Sequence, residues 1–122
     1  MCRTAQLQRL ERAMSGALPN LSISGATGHI AQLVNGIWDR SGEEVSGLPV
    51  YFKRDNPDMC LEYHAATNKW FIRPLAHRGT DRGHAYVVCP AGVPVESCSN
   101  SWMVAVTGVF VSQPSVKVVK HM

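Results

Sequence analysis

The most concentrated chemistry in this sequence of 122 residues is a basic stretch that runs from Lys69 to His84. Its only acidic residue is Asp81, and its cationic and imidazole side chains are Lys69, Arg73, His77, Arg78, Arg82 and His84. Such groups bind phosphates and carboxylates through charge-assisted hydrogen bonds. We therefore predict a surface that takes an anionic group or an acidic segment of a partner. Its residues are Arg73, His77, Arg78, Arg82 and His84.

Three aromatic residues near this stretch suggest a second use, as a platform on which the bases of single-stranded nucleic acid would stack. They are Tyr51, Tyr63 and Trp70. Aromatic residues make up only 7% of the chain, so the core itself needs them. The net charge of +3 is small for a nucleic-acid-binding domain. We expect these rings to face the core, and weak binding of single strands or anions stays an alternative.

The four cysteines, Cys2, Cys60, Cys89 and Cys98, contain no C-x-x-C pair and so do not predict a zinc ribbon or a thioredoxin-type site. Reduced thiols packed like small hydrophobic residues are the favoured interpretation. The alternative is a bridge between Cys89 and Cys98 around residues 90–97, which requires an oxidising compartment. The oxidation state of this pair is left open.

Cysteine and histidine together raise two further alternatives. Cys60 or Cys98 with a histidine base would make a small hydrolase or redox enzyme, but sequence shows no third group that orients the base. Cys60, His64 and His84 could also assemble into a metal site, although the five histidines show no H-x-x-x-H spacing. We predict no metal and no catalytic residue.

Residues 21–34 read LSISGATGHIAQLV, which looks like the start of a dinucleotide-binding domain. In such a domain a glycine turn and a helix N-terminus hold a pyrophosphate. Here Asn35 and Gly36 stop the helix after about two turns, whereas a βαβ crossover needs roughly a dozen residues or more. We therefore predict that Gly25 and Gly28 form turns between β elements, with no cofactor.

The elements that position these residues change in character at Pro19. Before it, Thr4 can cap a helix over residues 5–14 that ends at Gly16, so residues 1–18 are predicted as an N-terminal helix. Its arginines also resemble those of a mitochondrial transit segment, but Glu11 and the spacing of the apolar residues favour an ordinary docked helix.

Residues 19–122 are predicted as a single β domain, because short alternating runs are separated by turn residues. The predicted strands are 21–24, 32–39, 49–54, 59–64, 69–73, 85–88, 102–111 and 116–119, with a bulge at Gly108. Glu43 and Glu44 are predicted at the tip of a connector, and residues 49–73 as a three-stranded meander. The predicted fold is an all-β, antiparallel sandwich or barrel with a short N-terminal helix.

Several short motifs resemble a β-rich module found in uncharacterised proteins of protists, including trypanosomatid-type ones. They are Gly25-Ala26, Val34-Asn35-Gly36-Ile37-Trp38, Gly47-Leu48-Pro49-Val50-Tyr51-Phe52-Lys53, Leu61-Glu62-Tyr63 and Lys69-Trp70-Phe71-Ile72. The resemblance spans residues 23–111, with Trp38 where the module usually has tyrosine. It implies an all-β fold and a role as an interaction module, and it implies no reaction.

Size and composition set the remaining limits. A chain of 122 residues fits one domain and is too short for a complete dinucleotide-fold enzyme or a TIM barrel. No apolar run approaches the ~18 residues of a membrane span. We predict a non-enzymatic, cytoplasmic domain that binds another protein and neither membrane nor nucleic acid. The partner and the oligomeric state are left open.

Overall fold

The structure, a computed structural model, describes residues 19–121 of the protein. Its regular elements are β1 (Asn20–Ser24), α1 (Ala31–Val34), β2 (Gly36–Val45), β3 (Leu48–Lys53), β4 (Asn56–His64), β5 (Lys69–Pro74), β6 (Ala85–Val88), β7 (Trp102–Val106), β8 (Val109–Gln113) and β9 (Lys117–His121). Single 3-10 turns occupy Leu75–His77 and Val95–Ser97. The helix predicted within residues 1–18 lies outside the described residues.

The nine strands form one antiparallel sheet in the spatial order β8-β7-β6-β5-β4-β3-β2-β1-β9. β8 and β9 lie at opposite edges of the sheet, yet only residues 114–116 connect them. The sheet must therefore curl back toward itself, and it forms a half-barrel. The predicted all-β antiparallel fold is confirmed, as one curled sheet rather than the two packed sheets of a sandwich.

Alternation along each strand divides the sheet into two faces. On the inner face, Trp38, Trp70 and Ile72 are fully buried and belong to one hydrophobic core. The intervening residues of β5, which are Lys69, Phe71 and Arg73, point to the opposite face, called here the outer face. The predicted placement of Tyr51, Tyr63 and Trp70 in the core is confirmed, since all three belong to this cluster.

The strand predictions hold best where hairpin turns carry strong turn residues. β3, β4 and β5 form the predicted meander, with register partners Tyr51 and Leu61 in one pair and Leu61 and Ile72 in the next. The prediction that Glu43 and Glu44 lie at the tip of a connector is wrong, because β2 continues through both residues to Val45. A register shift between Arg40 and Glu44 absorbs the extra residues as a bulge.

Two predicted strands differ most from the structure. Residues 102–111 form two strands, not one with a bulge, because Thr107 and Gly108 adopt positive φ values of 46° and 85° and reverse the chain. Residues 32–39 begin with one helical turn, α1, before β2 starts at Gly36. The Asn35 side chain stabilises that turn. Its Oδ1 accepts a hydrogen bond from the N–H of Ala26, and its Nδ2 donates one to the carbonyl oxygen of Ala26, both at 3.0 Å.

The glycine-rich segment is a corner packed against the chain, as predicted. Gly25 has a φ of +91°, and a Cβ there would lie 2.0 Å from the carbonyl oxygen of Ser115. The backbone N–H of Thr27 donates to Oε1 of Gln113 at 2.9 Å. Side chains of Asn35 and Gln113 thus accept the N–H groups of Ala26 and Thr27, and antiparallel strands follow instead of a crossover helix.

Cys89 and Cys98 form a disulfide, so the favoured interpretation of reduced thiols is wrong for this pair. Their Cα atoms lie 5.8 Å apart at either end of the 90–97 segment. Within that segment Val95 is 2% exposed and belongs to the core, and the 3-10 turn at Val95–Ser97 packs against β9. The bridged loop therefore helps cover the inner face on the open side of the sheet.

Candidate binding site

A groove of about 480 Å³ lies on the outer face of the sheet, beneath the loop of residues 75–84 that joins β5 to β6. It is called here the basic groove. Residues of β5, β6, β8 and the loop line it: Lys69, Phe71, His77, Asp81, Arg82, Gly83, His84, Tyr86 and Phe110. The permanent cations Lys69 and Arg82 face the single carboxylate of Asp81, so the groove is basic even when both histidines are neutral.

A buried ion pair anchors the loop that forms the groove. Glu62 on β4 and Arg73 on β5 are diagonal neighbours on the outer face, since Glu62 pairs with Phe71 and Arg73 with Cys60. Oε1 of Glu62 accepts a hydrogen bond from Arg73 at 2.7 Å, and both side chains are under 5% exposed. Arg73 also donates to the carbonyl oxygens of Thr80 and Arg82, which ties the loop to the sheet.

Arg78 closes the other end of the loop. Its guanidinium lies 2.9 Å from carboxylate oxygens of both Glu62 and Glu43. The bulge in β2 places Glu43 there, and the aromatic ring of Phe52 lies 5.8 Å below the Arg78 guanidinium. These two carboxylates raise the pKa of Arg78, although its partial burial opposes them. Arg78 therefore links the loop to β2 and β4 through two carboxylates, with its own side chain 29% exposed.

Close backbone packing also fixes the loop where it enters β6. A Cβ on Gly83 would lie 2.8 Å from Cδ1 of Phe71 and 3.1 Å from the carbonyl oxygen of Ile72. The next residue, His84, donates its N–H to the carbonyl of Ile72 at 2.8 Å. Only glycine lets the loop approach the sheet this closely, and this approach brings Arg82 and His84 to the groove.

Aromatic rings form the floor of the groove. Tyr86 packs edge-to-face on Phe110 with ring centroids 4.9 Å apart, and Phe71 lies 5.8 Å from Tyr86 on the other side. The Lys69 ammonium sits 4.4 Å from the Tyr86 ring centroid, which is cation–π distance, and 3.7 Å from Oδ1 of Asp81. The floor thus joins apolar surface to fixed positive charge.

Two histidines, His77 and His84, also line the groove. Burial lowers the pKa of His84, and the charges of His77 and His29 lower it further. Among the described residues, Nδ1 of His77 is buried and has no hydrogen-bond partner. A bound anion would favour protonation of the His84 imidazole, because an opposite charge nearby stabilises the charged form.

The five predicted binding residues therefore have two different roles. His77, Arg82 and His84 line the groove together. Arg73 is 1% exposed and therefore positions the loop, whereas Arg78 is paired with two carboxylates and lies outside the groove, with its side chain 29% exposed. Nothing in the sequence around Arg73 reveals this, because Glu62 is eleven positions away along the chain.

Sequence reasoning missed the three aromatic residues that face the groove, Phe71, Tyr86 and Phe110. The rings considered for stacking of nucleic-acid bases were Tyr51, Tyr63 and Trp70, and these face the core. The alternation in residues 69–73 could have separated them, since Trp70 and Ile72 share one face while Lys69, Phe71 and Arg73 share the other.

Neither cysteine considered for an enzyme is an accessible free thiol in the structure. Cys60 is fully buried beneath the loop, and burial, with a contribution from Glu62, raises the pKa of its thiol to about 11. Cys98 is bonded to Cys89. His64 packs edge-on against Phe71, with centroids 5.9 Å apart. No group of three possible metal ligands comes together within residues 19–121, so Cys60, His64 and His84 do not form the metal site considered above.

Comparison of the chain with protein-family models, curated proteins and solved structures finds no match. The resemblance to the protist module therefore stays a prediction. Among residues 19–121, no helix is long and apolar enough to cross a membrane.

Proposed function

We propose that this domain is a protein-binding module that takes an acidic segment of its partner in the basic groove. The observation that carries the proposal is the juxtaposition of Lys69 and Arg82 with the exposed ring of Phe110 in one concave site. A protein segment with carboxylates and apolar side chains matches both parts of this lining. The interaction role implied by the resemblance agrees with it.

Single-stranded nucleic acid is the weaker candidate for the groove. Base stacking needs open ring faces, but Lys69 lies over the Tyr86 ring and Phe110 meets Tyr86 edge-to-face. An enzymatic role finds no support in Cys60, whose thiol is buried and protonated at neutral pH. The expected cytoplasmic location stays a prediction, and the Cys89–Cys98 disulfide weighs against it.

Charge reversal at Arg82 tests the proposal. The probe is a capped, dye-labelled nonapeptide of alternating Glu and Val, with a Lys–Val peptide carrying the same dye as the control for dye binding. We expect Arg82→Glu to weaken binding of the Glu–Val peptide about tenfold, measured by fluorescence anisotropy at low salt. The matched control is Lys120→Glu, the same charge change on the exposed part of β9, which should bind as the wild type does.

Three outcomes would contradict the proposal. One is no binding of the Glu–Val peptide at low salt, and another is equal loss in Arg82→Glu and Lys120→Glu, which would indicate a diffuse charge effect. The third is tighter, steeply salt-dependent binding of a thymidine oligonucleotide of equal charge, which would favour nucleic acid instead.

A further inference from the structure

β8 is an edge strand without the usual protection. Val109, Phe110 and Val111 are 63%, 39% and 44% exposed, and no charged residue occurs between Thr107 and Val116. The opposite edge strand, β9, carries Lys117, Lys120 and His121. Natural proteins shield edge strands with charges, prolines or bulges because open edges pair with other chains. The exposed run on β8 therefore marks an edge available for pairing.

The hairpin geometry identifies the backbone groups that face this open edge. Thr107 and Gly108 form a two-residue turn, so Val106 and Val109 are a hydrogen-bonded pair and such pairs alternate along the hairpin. The N–H of Ala105 donates to the carbonyl of His84 at 2.9 Å, which turns Ala105 toward β6. Its partner Phe110 thus directs its N–H and C=O away from β7, and Ser112 does the same two residues later.

These groups have no other backbone partner in the described part of the chain. Beyond the strand ladders, none of the backbone hydrogen bonds within residues 19–121 involves Phe110 or Ser112. The side chain of Phe110 meanwhile lines the basic groove. An added strand would therefore place its outward side chains next to Phe110, which lines the same groove as Arg82.

We propose that the partner segment binds as an additional strand on β8, with acidic side chains toward the groove and apolar side chains toward Val109 and Val111. This rests on the proposed function and specifies its ligand as an extended segment in which acidic and apolar residues alternate. Main-chain hydrogen bonds to Phe110 and Ser112 would supply affinity, and the two faces would supply specificity.

Charge argues against a second copy of this chain as the occupant. Antiparallel pairing of two β8 strands would join two sheets edge to edge and place both basic grooves on the same face. Each chain carries a net charge of +3, so the two copies would repel each other. A pair of five-residue strands also provides little of the ~1,200–2,000 Å² that a stable interface buries.

The experiment uses the full chain and the Glu–Val nonapeptide. Ser112→Pro removes an N–H that faces the open edge without removing a bond to β7, whereas Ser112→Thr keeps that N–H. We expect Ser112→Pro to bind at least tenfold more weakly and Ser112→Thr to bind as the wild type does. Hydrogen exchange on the wild-type protein should show that saturating peptide slows exchange of the Phe110 and Ser112 amides.

The result that overturns strand addition is peptide binding that depends on Arg82 but leaves the Phe110 and Ser112 amides unprotected. The proposed function would survive that result, whereas absence of any peptide binding would remove both. A dimer of the peptide-free protein that Ser112→Pro converts to monomer would assign β8 to a second copy. The hydrogen-exchange measurement decides the matter even if Ser112→Pro fails to fold.

Discussion

At the scale of single residues, one buried carboxylate determines what the arginines of the 75–84 loop do. Glu62 is 3% exposed and accepts hydrogen bonds from both Arg73 and Arg78. Desolvating three charges is costly, so such a cluster adds little net stability compared with an apolar one. Removing Glu62, however, leaves the buried Arg73 without its carboxylate partner. The loop and its groove therefore depend on Glu62, although Glu62 does not line the groove.

Glu62→Gln should destabilise the protein by about 3–5 kcal/mol at pH 7, the range for breaking a buried ion pair by removing one partner. Burial alone would raise the pKa of Glu62, but hydrogen bonds from Arg78 and Arg73 outweigh it and the net pKa is lowered from 4.5. A carboxyl whose pKa is lower in the folded than in the unfolded state stabilises the fold above the unfolded-state pKa. That stabilisation disappears as pH falls through the folded-state pKa.

Urea unfolding at a series of pH values from neutral to about 2 measures this contribution. The wild-type free energy of unfolding should fall below pH 4.5, and the Glu62→Gln curve should be flatter there. The control is Glu43→Gln, which removes the partly exposed partner of Arg78 and should cost no more than about 1 kcal/mol. Equal costs for the two variants would show that burial of Glu62 does not matter.

At the scale of elements, local residue chemistry was sufficient for most strands and insufficient for turns that carry an unusual residue. Asn68, at a φ of 53°, is a residue type suited to positive φ, and its hairpin was predicted. Thr107 is β-branched and disfavours positive φ, so residues 102–111 looked like one strand. The groove depends on contacts between β4, β5 and the loop, which register sets and no local pattern reveals.

This contrast between two turns gives a prediction. Thr107→Asn should raise the free energy of unfolding by about 0.5–1 kcal/mol, because asparagine tolerates the left-handed conformation that strains threonine. The reciprocal change Asn68→Thr should destabilise by a comparable amount or more, since Asn68 also accepts a hydrogen bond from the Tyr63 hydroxyl at 3.0 Å. Thermal unfolding of the two variants measures both changes. Destabilisation by Thr107→Asn would contradict a strained turn.

At the scale of the whole molecule, the two faces of one curled sheet carry different features. The inner face holds the core, and the outer face between β5 and β8 carries the groove and the open edge proposed for the partner. A half-barrel exposes part of its inner face, however, and Val109 and Val111 remain open to solvent there. Further along the same opening, the disulfide-bridged loop inserts Val95 into the core.

The bridged loop gives a prediction for the intact fold. Replacing Cys89 and Cys98 together by serine should lower the free energy of unfolding by about 2–3 kcal/mol, the chain-entropy value for a loop of about ten residues. Because Val95 must still pack on the core, the variant should fold, and its Arg82-dependent binding of the Glu–Val peptide should persist. Urea unfolding of the wild type in reductant should shift its midpoint toward that of the variant. A wild-type midpoint unaffected by reductant, with free thiols detected at Cys89 and Cys98, would contradict the bridge and remove the argument against a cytoplasmic location.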